Sequence, residues 1–168
     1  TGDTEVLSWA FEPAVRYLML WELNDDGLVT GRNGDWRWFD HLYNVDEDVL
    51  ENAWYYSAIK FAQKMAGILD DHRFDSFLAE RAESILLNFD RCYFRDGYYS
   101  SKGVVDDRAN AMAVLSGLCK EENYSKIRTI LISVFNATIY MENYVLTALC
   151  KMGYREDAYH RMISRYYN

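Results

Sequence analysis

Apolar residues recur every three or four positions along most of the chain, and this spacing predicts seven helices. Leu7, Phe11, Ala14, Leu18 and Trp21 define the first, over residues 4–23, with Pro13 inside it as an expected kink. The second, over 46–69, turns Leu50, Trp54, Ala58, Phe61, Met65 and Ile68 inward. The third, over 74–89, carries Phe74, Leu78, Ala82, Ile85 and Phe89 on one stripe. Four more follow over 107–120, 124–135, 140–152 and from 155 to the end, and Gly153 suits the position just past the sixth. Residues 93–100 break the period, and Asp96-Gly97 there predicts a small hairpin or tight loop. The polar turns at 121–123 and 153–154 are short, so the helices they join should be antiparallel neighbours. The expected fold is all-α, built from antiparallel helical hairpins, and no strict sequence repeat underlies it.

Composition narrows the class. Half of the 168 residues are hydrophobic and 16% are aromatic, which is too apolar for a disordered chain. One proline and nine glycines leave room for long helices. The net charge of −8 and the lack of a basic stretch argue against a nucleic-acid partner. No apolar run reaches membrane-span length, so no membrane partner is expected. Acidic clefts with aromatic walls suit neutral, hydroxyl-rich ligands. Cys92, Cys119 and Cys150 form no CxxC pair, so they read as small buried hydrophobes; no metal and no cofactor is expected. Thr1 to Thr4 show neither an initiator Met nor a signal segment, and both ends read as cuts through a longer chain.

The densest chemistry lies in the segment 26–48, DGLVTGRNGDWRWFDHLYNVDED. It places Asp35, Trp36, Trp38, Phe39, Asp40 and His41 within seven residues, in a loop that feeds the second helix. A tryptophan face stacks on the apolar face of a sugar ring, while a carboxylate accepts hydrogen bonds from its hydroxyls. The loop thus reads as a carbohydrate subsite. It reads equally as a loop whose tryptophans anchor it in the core and whose aspartates cap helices. Asp106 before the fourth helix and Glu142 at the start of the sixth are further candidates. Each is also explained as a helix-end acid, Asp106 as an N-cap. What sets them apart is order: the three acidic segments precede the second, fourth and sixth helices. If alternate helices form an inner row, all three starts face one end of it. His72 and His160 lack ligand partners at useful spacing and read as surface residues.

These same strings carry a family resemblance. GDWRWFDH after DGL, then ENAWYYSAIKFAQKMAGIL, DDRANAMAVLSGL and YMENYVLTALCKMGYREDAYHRMISRYY resemble α-L-rhamnosidases and related six-hairpin glycosidases. The opening GDTEVLSWAFEPAVRYLMLWELNDDGL is similar to the helix just upstream in those proteins. The resemblance implies an (α/α)6 toroid, of which seven helices make about half. It implies that residues 1–168 are one helical domain cut from a larger catalytic domain. It further implies inverting hydrolysis of terminal sugars by an acid and a base flanking a water. By the same resemblance, Trp36 and Asp40 match sugar-contacting positions and Asp35 matches the acid of the motif. The family's acidic catalytic motif lies upstream of the matched region. Its base, in a Thr-Thr-Leu-Trp-Glu-like segment, lies downstream. The chain alone is therefore expected to hold a sugar-binding wall without the catalytic pair, to be inactive by itself, and to associate through the uncovered half-toroid face. The rival expectation is a non-catalytic helical scaffold that binds a protein partner.

Overall fold

Asp3 starts the first helix, its carboxylate accepting from the backbone N–H groups of Glu5 and Val6. This chain is described by a computed structural model covering residues 3–32, 34, 37–41 and 43–167. α1 (Thr4–Leu18) runs through Pro13 and ends before Trp21, five residues short of the expected end at 23, because its last N–H bonds turn back at Met19. α2 (Glu47–Leu69) and α3 (Asp75–Tyr93) follow as a long antiparallel pair. β1 (Phe94–Arg95) and β2 (Tyr98–Tyr99) form the expected hairpin. Asp96 and Gly97 both take positive φ there, 54° and 93°, which is what a two-residue loop of this hand demands. α4 (Asp107–Ser116) is shorter than expected, and residues up to 120 leave the helix before a 3-10 turn (Glu121–Asn123). α5 (Tyr124–Ser133), α6 (Ile139–Lys151) and α7 (Arg155–Tyr166) complete the all-α fold.

The helices form two layers. α2, α4 and α6 lie side by side, α4 packing on both of the others. α1 and α3 pack on α2, α5 on α4, and α7 on α6, so these four back the row of three. The core between the layers includes Phe11, Val15, Leu50, Ile59, Leu78, Ile85, Phe89, Met112, Leu131, Met141 and Val145.

This arrangement corrects the expected face of α2. Its buried positions are Val49, Leu50, Ala53, Tyr55, Tyr56, Ile59, Ala62 and Ala66. Of the expected stripe only Leu50 is fully buried; Phe61 is 66% and Ile68 51% exposed. A helix with neighbours on three sides is apolar nearly all round, so its period no longer selects one face. Ala14 on α1 is likewise exposed, and Val15 takes its place in the core. Cys119 is buried as expected, but Cys92 is half-buried and Cys150 exposed. No helix among the described residues is long and apolar enough to cross a membrane.

Candidate functional site

The starts of the three inner helices are tied together at one end of the row. Asp46 caps α2, accepting from the Val49 N–H, and also takes three bonds from Ser100 and Ser101. The Asp46 N–H in turn donates to Asp106 at 2.9 Å, and Asp106 caps α4 through the Arg108 N–H. Thr138, the cap residue of α6, donates its N–H to Asp40 at 2.8 Å, and its hydroxyl donates to the other oxygen of Asp40.

Two buried guanidiniums complete this end. Arg108 is fully buried and donates to Asp106 (2.7 Å), Asp40 (3.4 Å) and the Tyr43 carbonyl (3.0 Å). Arg161 from α7 donates to both oxygens of Glu142, to Asp107, and to the carbonyls of Leu131 and Val134. Arg165 adds a bond to Glu142 at 2.6 Å. Buried charges persist only when paired in this way, because each loses several kcal/mol of hydration.

This accounting decides what the expected acids do. Asp40 accepts four hydrogen bonds, from His41 N–H, both donors of Thr138, and Arg108. Burial pushes its pKa up, but the bonds from Thr138, His41 and Arg108 outweigh that and hold it below the ordinary carboxylate range. Asp106 is pushed up by burial against the pull of Arg108 and the Asp46 N–H. Glu142 is 2% exposed with both oxygens taken. Asp40, Asp106 and Glu142 thus meet at one end of the fold as expected from their order, but as knots between elements, with no open edge for a ligand hydroxyl. Asp35 and Trp36 lie outside the described residues.

The open surface beside these knots is aromatic. Trp38 stands 5.0 Å from His41 edge-to-face and 5.8 Å from Tyr140 at 30° between planes. Tyr140 meets Tyr144 at 5.9 Å, and Tyr144 meets Trp54 at 5.1 Å. The wall thus runs from the loop across α6 to α2. Trp38 and Trp54 also line a cavity of 440 Å³, with Tyr17, Trp21, Arg37, Phe39 and Glu51 among its other walls. Glu51 in the cavity wall accepts from the Trp21 indole N–H at 3.0 Å and from Arg37 at 2.6 Å. Arg32 lies 4.7 Å over the Trp21 ring. Burial works against the charge on Arg37, yet Asp48 and Glu51 hold its pKa above the ordinary value.

Of the residues picked out from the sequence, Trp38 lines the cavity and His41 joins the wall. Tyr17, Trp21, Arg37, Glu51 and Trp54 were missed as cavity residues. Trp54, expected to turn inward from the second helix, is half-buried at the cavity wall. The signal that could have found it was the surplus of large apolar residues on α2, more than one buried face can absorb. No group of acids, histidines and cysteines suited to hold a metal ion occurs among the described residues.

No family model matches the sequence, and no curated protein matches it. A solved structure does match in fold: the crystal structure of a GH78 family rhamnosidase of Bacillus sp. GL1, with a TM-score of 0.83 at 16% sequence identity. The match covers 99% of this chain and 19% of that one, so the chain spans about a fifth of the length of the rhamnosidase. At this identity the likeness is one of fold. The chain has the helical-hairpin architecture found within a glycoside hydrolase.

Proposed function

We propose that this chain is part of the catalytic domain of an α-L-rhamnosidase-like glycoside hydrolase, and that its aromatic wall and cavity bind a sugar. The observation that carries the reading is the coincidence of two things: a fold match over 99% of the chain to a rhamnosidase, and an aromatic cleft at the capped end of the inner helices. Three inner helices backed by four outer ones supply about half of an (α/α)6 toroid. Trp38 and Trp54 offer ring faces for stacking, and the Arg37–Glu51 pair closes the polar side of the cavity. No cofactor enters the reading.

Hydrolysis with inversion needs a carboxylic acid and a carboxylate set apart by roughly 6.5–9.5 Å, with room for a water. Asp40, Asp106 and Glu142 are consumed by buried bonds, so neither role falls to them. The acid and base are assigned to parts of the longer protein, and the chain alone should not hydrolyse aryl rhamnosides. The test is titration of the chain with L-rhamnose followed by NMR, with D-glucose as control. Shifts confined to the indole signals of Trp38 and Trp54 and to the Tyr140 and Tyr144 rings support the reading. Equal or absent shifts with both sugars overturn it.

One observation favours a second reading. Phe61 and Ile68 on α2 and Trp9 on α1, 80% exposed, leave apolar surface uncovered at one side of the helix row. A scaffold that docks on further helices or on its own copies would present such a face. Light scattering across a concentration series separates a self-associating chain from a monomer.

A further inference from the structure

The segment that carries Trp38 is fastened on both sides, one residue before the ring and two after it. Before it, Arg37 donates through Nη2 to Asp48 at 2.7 Å and to Glu51 at 2.6 Å, both on α2, and its Nη1 lies 3.5 Å from Glu47. After it, Asp40 receives Thr138 of α6 and Arg108 of α4. The ring between these anchors faces Tyr140, two residues beyond Thr138 on α6. We propose that Arg37 and Asp40 are positioning residues, a two-point clamp that holds Trp38 against Tyr140 and so sets the geometry of the aromatic wall.

The argument is geometric. Trp38 is 36% exposed, so part of its ring stays open while the segment that carries it is tied down. The residues on either side reach three helices, Arg37 to α2 and Asp40 to α4 and the start of α6. The Arg37 Nη2 bridges two carboxylates about one turn apart on α2, and charge-assisted bonds of this kind are stronger than neutral ones. The stem of Arg37 is confined as well. A Cβ added at Gly31 would stand 2.5 Å from the Arg37 Cδ and 2.6 Å from Nε, so the glycine leaves the channel in which the arginine lies. The dependence of sugar affinity on this clamp rests on the reading of the wall as a carbohydrate site. The dependence of the Trp38–Tyr140 contact does not.

The experiment therefore reads the two separately, on the whole chain. The first readout is the nuclear Overhauser cross-peak between the Trp38 indole and the Tyr140 ring, without ligand. In Arg37→Met it should fall at least threefold, and Arg37→Lys should restore part of it. Gly31→Ala keeps the guanidinium and its carboxylate partners but crowds the stem, and should weaken the cross-peak too. The second readout is the L-rhamnose titration, in which Arg37→Met should weaken binding at least fivefold at an unchanged melting profile of the core amides. An unaltered cross-peak in folded Arg37→Met and Gly31→Ala overturns the proposal. Should Arg37→Met fail to fold, Gly31→Ala decides. A reduced cross-peak in a chain whose wild type binds no rhamnose leaves the clamp standing and removes the sugar reading alone.

Discussion

The two long loops of this chain are held by the same device and put to different ends. Before α2, the Asn52 amide pairs with both backbone groups of Val29, accepting at 2.9 Å and donating at 3.0 Å. Before α4, the Asn110 amide pairs with both backbone groups of Tyr99, at 2.8 and 3.1 Å. Each amide also donates to the carbonyl four residues earlier on its own helix. An asparagine side chain carries the same donor and acceptor pair as a peptide, so it docks an extended segment as a neighbouring strand would. After Tyr99 the second loop needs few residues to reach Asp106, and Tyr99 itself is fully buried. After Val29 the first loop continues for sixteen residues to Val45, and it exposes Trp38, His41 and Tyr43 on the way. One loop is used up in packing. The other has surplus chain, and that surplus supplies the Trp38 and His41 end of the aromatic wall.

Arg108 is where the two loops meet, since it holds Asp106 at the end of one and Asp40 and Tyr43 in the other. Arg108→Met should be the most damaging single change, costing about 3–5 kcal/mol, because it strands two buried carboxylates. Urea unfolding would measure it. A loss under 1 kcal/mol would mean that Asp40 and Asp106 are solvated in solution and the loops are not joined through this residue.

The asparagine comparison comes next. Asn52→Ala and Asn110→Ala each leave a buried backbone N–H and C=O without partners, for a cost of about 1–3 kcal/mol per stranded group. Their stability losses should be alike, while their effects on hydrogen exchange should differ. Asn110→Ala should release the hairpin around Tyr99, and Asn52→Ala should release the loop around Val29 and, with it, the Trp38 signals. Equal disturbance of Trp38 by both would break the division between a packing loop and a projecting one.

Asp40 gives the comparison a pH signature. Its folded pKa is held below the unfolded value of about 3.9, so its contribution is present above that value and lost as pH falls through the lower, folded one. Asp106 has the opposite sign, because burial raises it; its share is present below the unfolded pKa and fades as pH rises through the folded one. Asp40→Asn should therefore cost about 1–3 kcal/mol at neutral pH and progressively less below pH 4. A cost that stays constant down to pH 2 would show that the Asp40 charge is not what holds the loop to Thr138.

Much of this fold was legible. The seven helices and the Asp96-Gly97 hairpin follow from period and turn chemistry, which are local. The order of acids before alternate helices correctly brought Asp40, Asp106 and Glu142 to one end. What was not legible is what each acid touches. Asp40 and Thr138 are 98 residues apart, Arg108 and Asp40 68, and Arg161 and Glu142 19 across a turn. Nothing in a short window distinguishes a carboxylate that will be buried under an arginine from one that will face a ligand. The face of α2 failed for a related reason, since α1, α3 and α4 all pack on it and its buried positions follow no single stripe. Trp54, expected in the core, lines the cavity because the surplus of that face had nowhere else to go.

The smallest effect on stability should come from the residue with the largest effect on binding. The Trp38 ring meets an edge of His41 and a tilted face of Tyr140, and it is 36% exposed. A fully buried tryptophan costs about 3–5 kcal/mol when cut to alanine, and a ring more than one-third open should cost far less, about 1 kcal/mol. The Arg37 and Asp40 anchors remain in Trp38→Ala, so the loop should keep its path and the chain its melting curve. What is lost is a stacking face, and with it the L-rhamnose shifts of Tyr140. Trp54→Ala makes the contrast, because Trp54 packs on Tyr144 and against the core as well as lining the cavity, and both stability and binding should fall. If Trp38→Ala instead melts far below wild type, the projecting loop is packed as tightly as the loop before α4. The aromatic wall would then be an extension of the core, and the functional reading of the surplus chain would go with it.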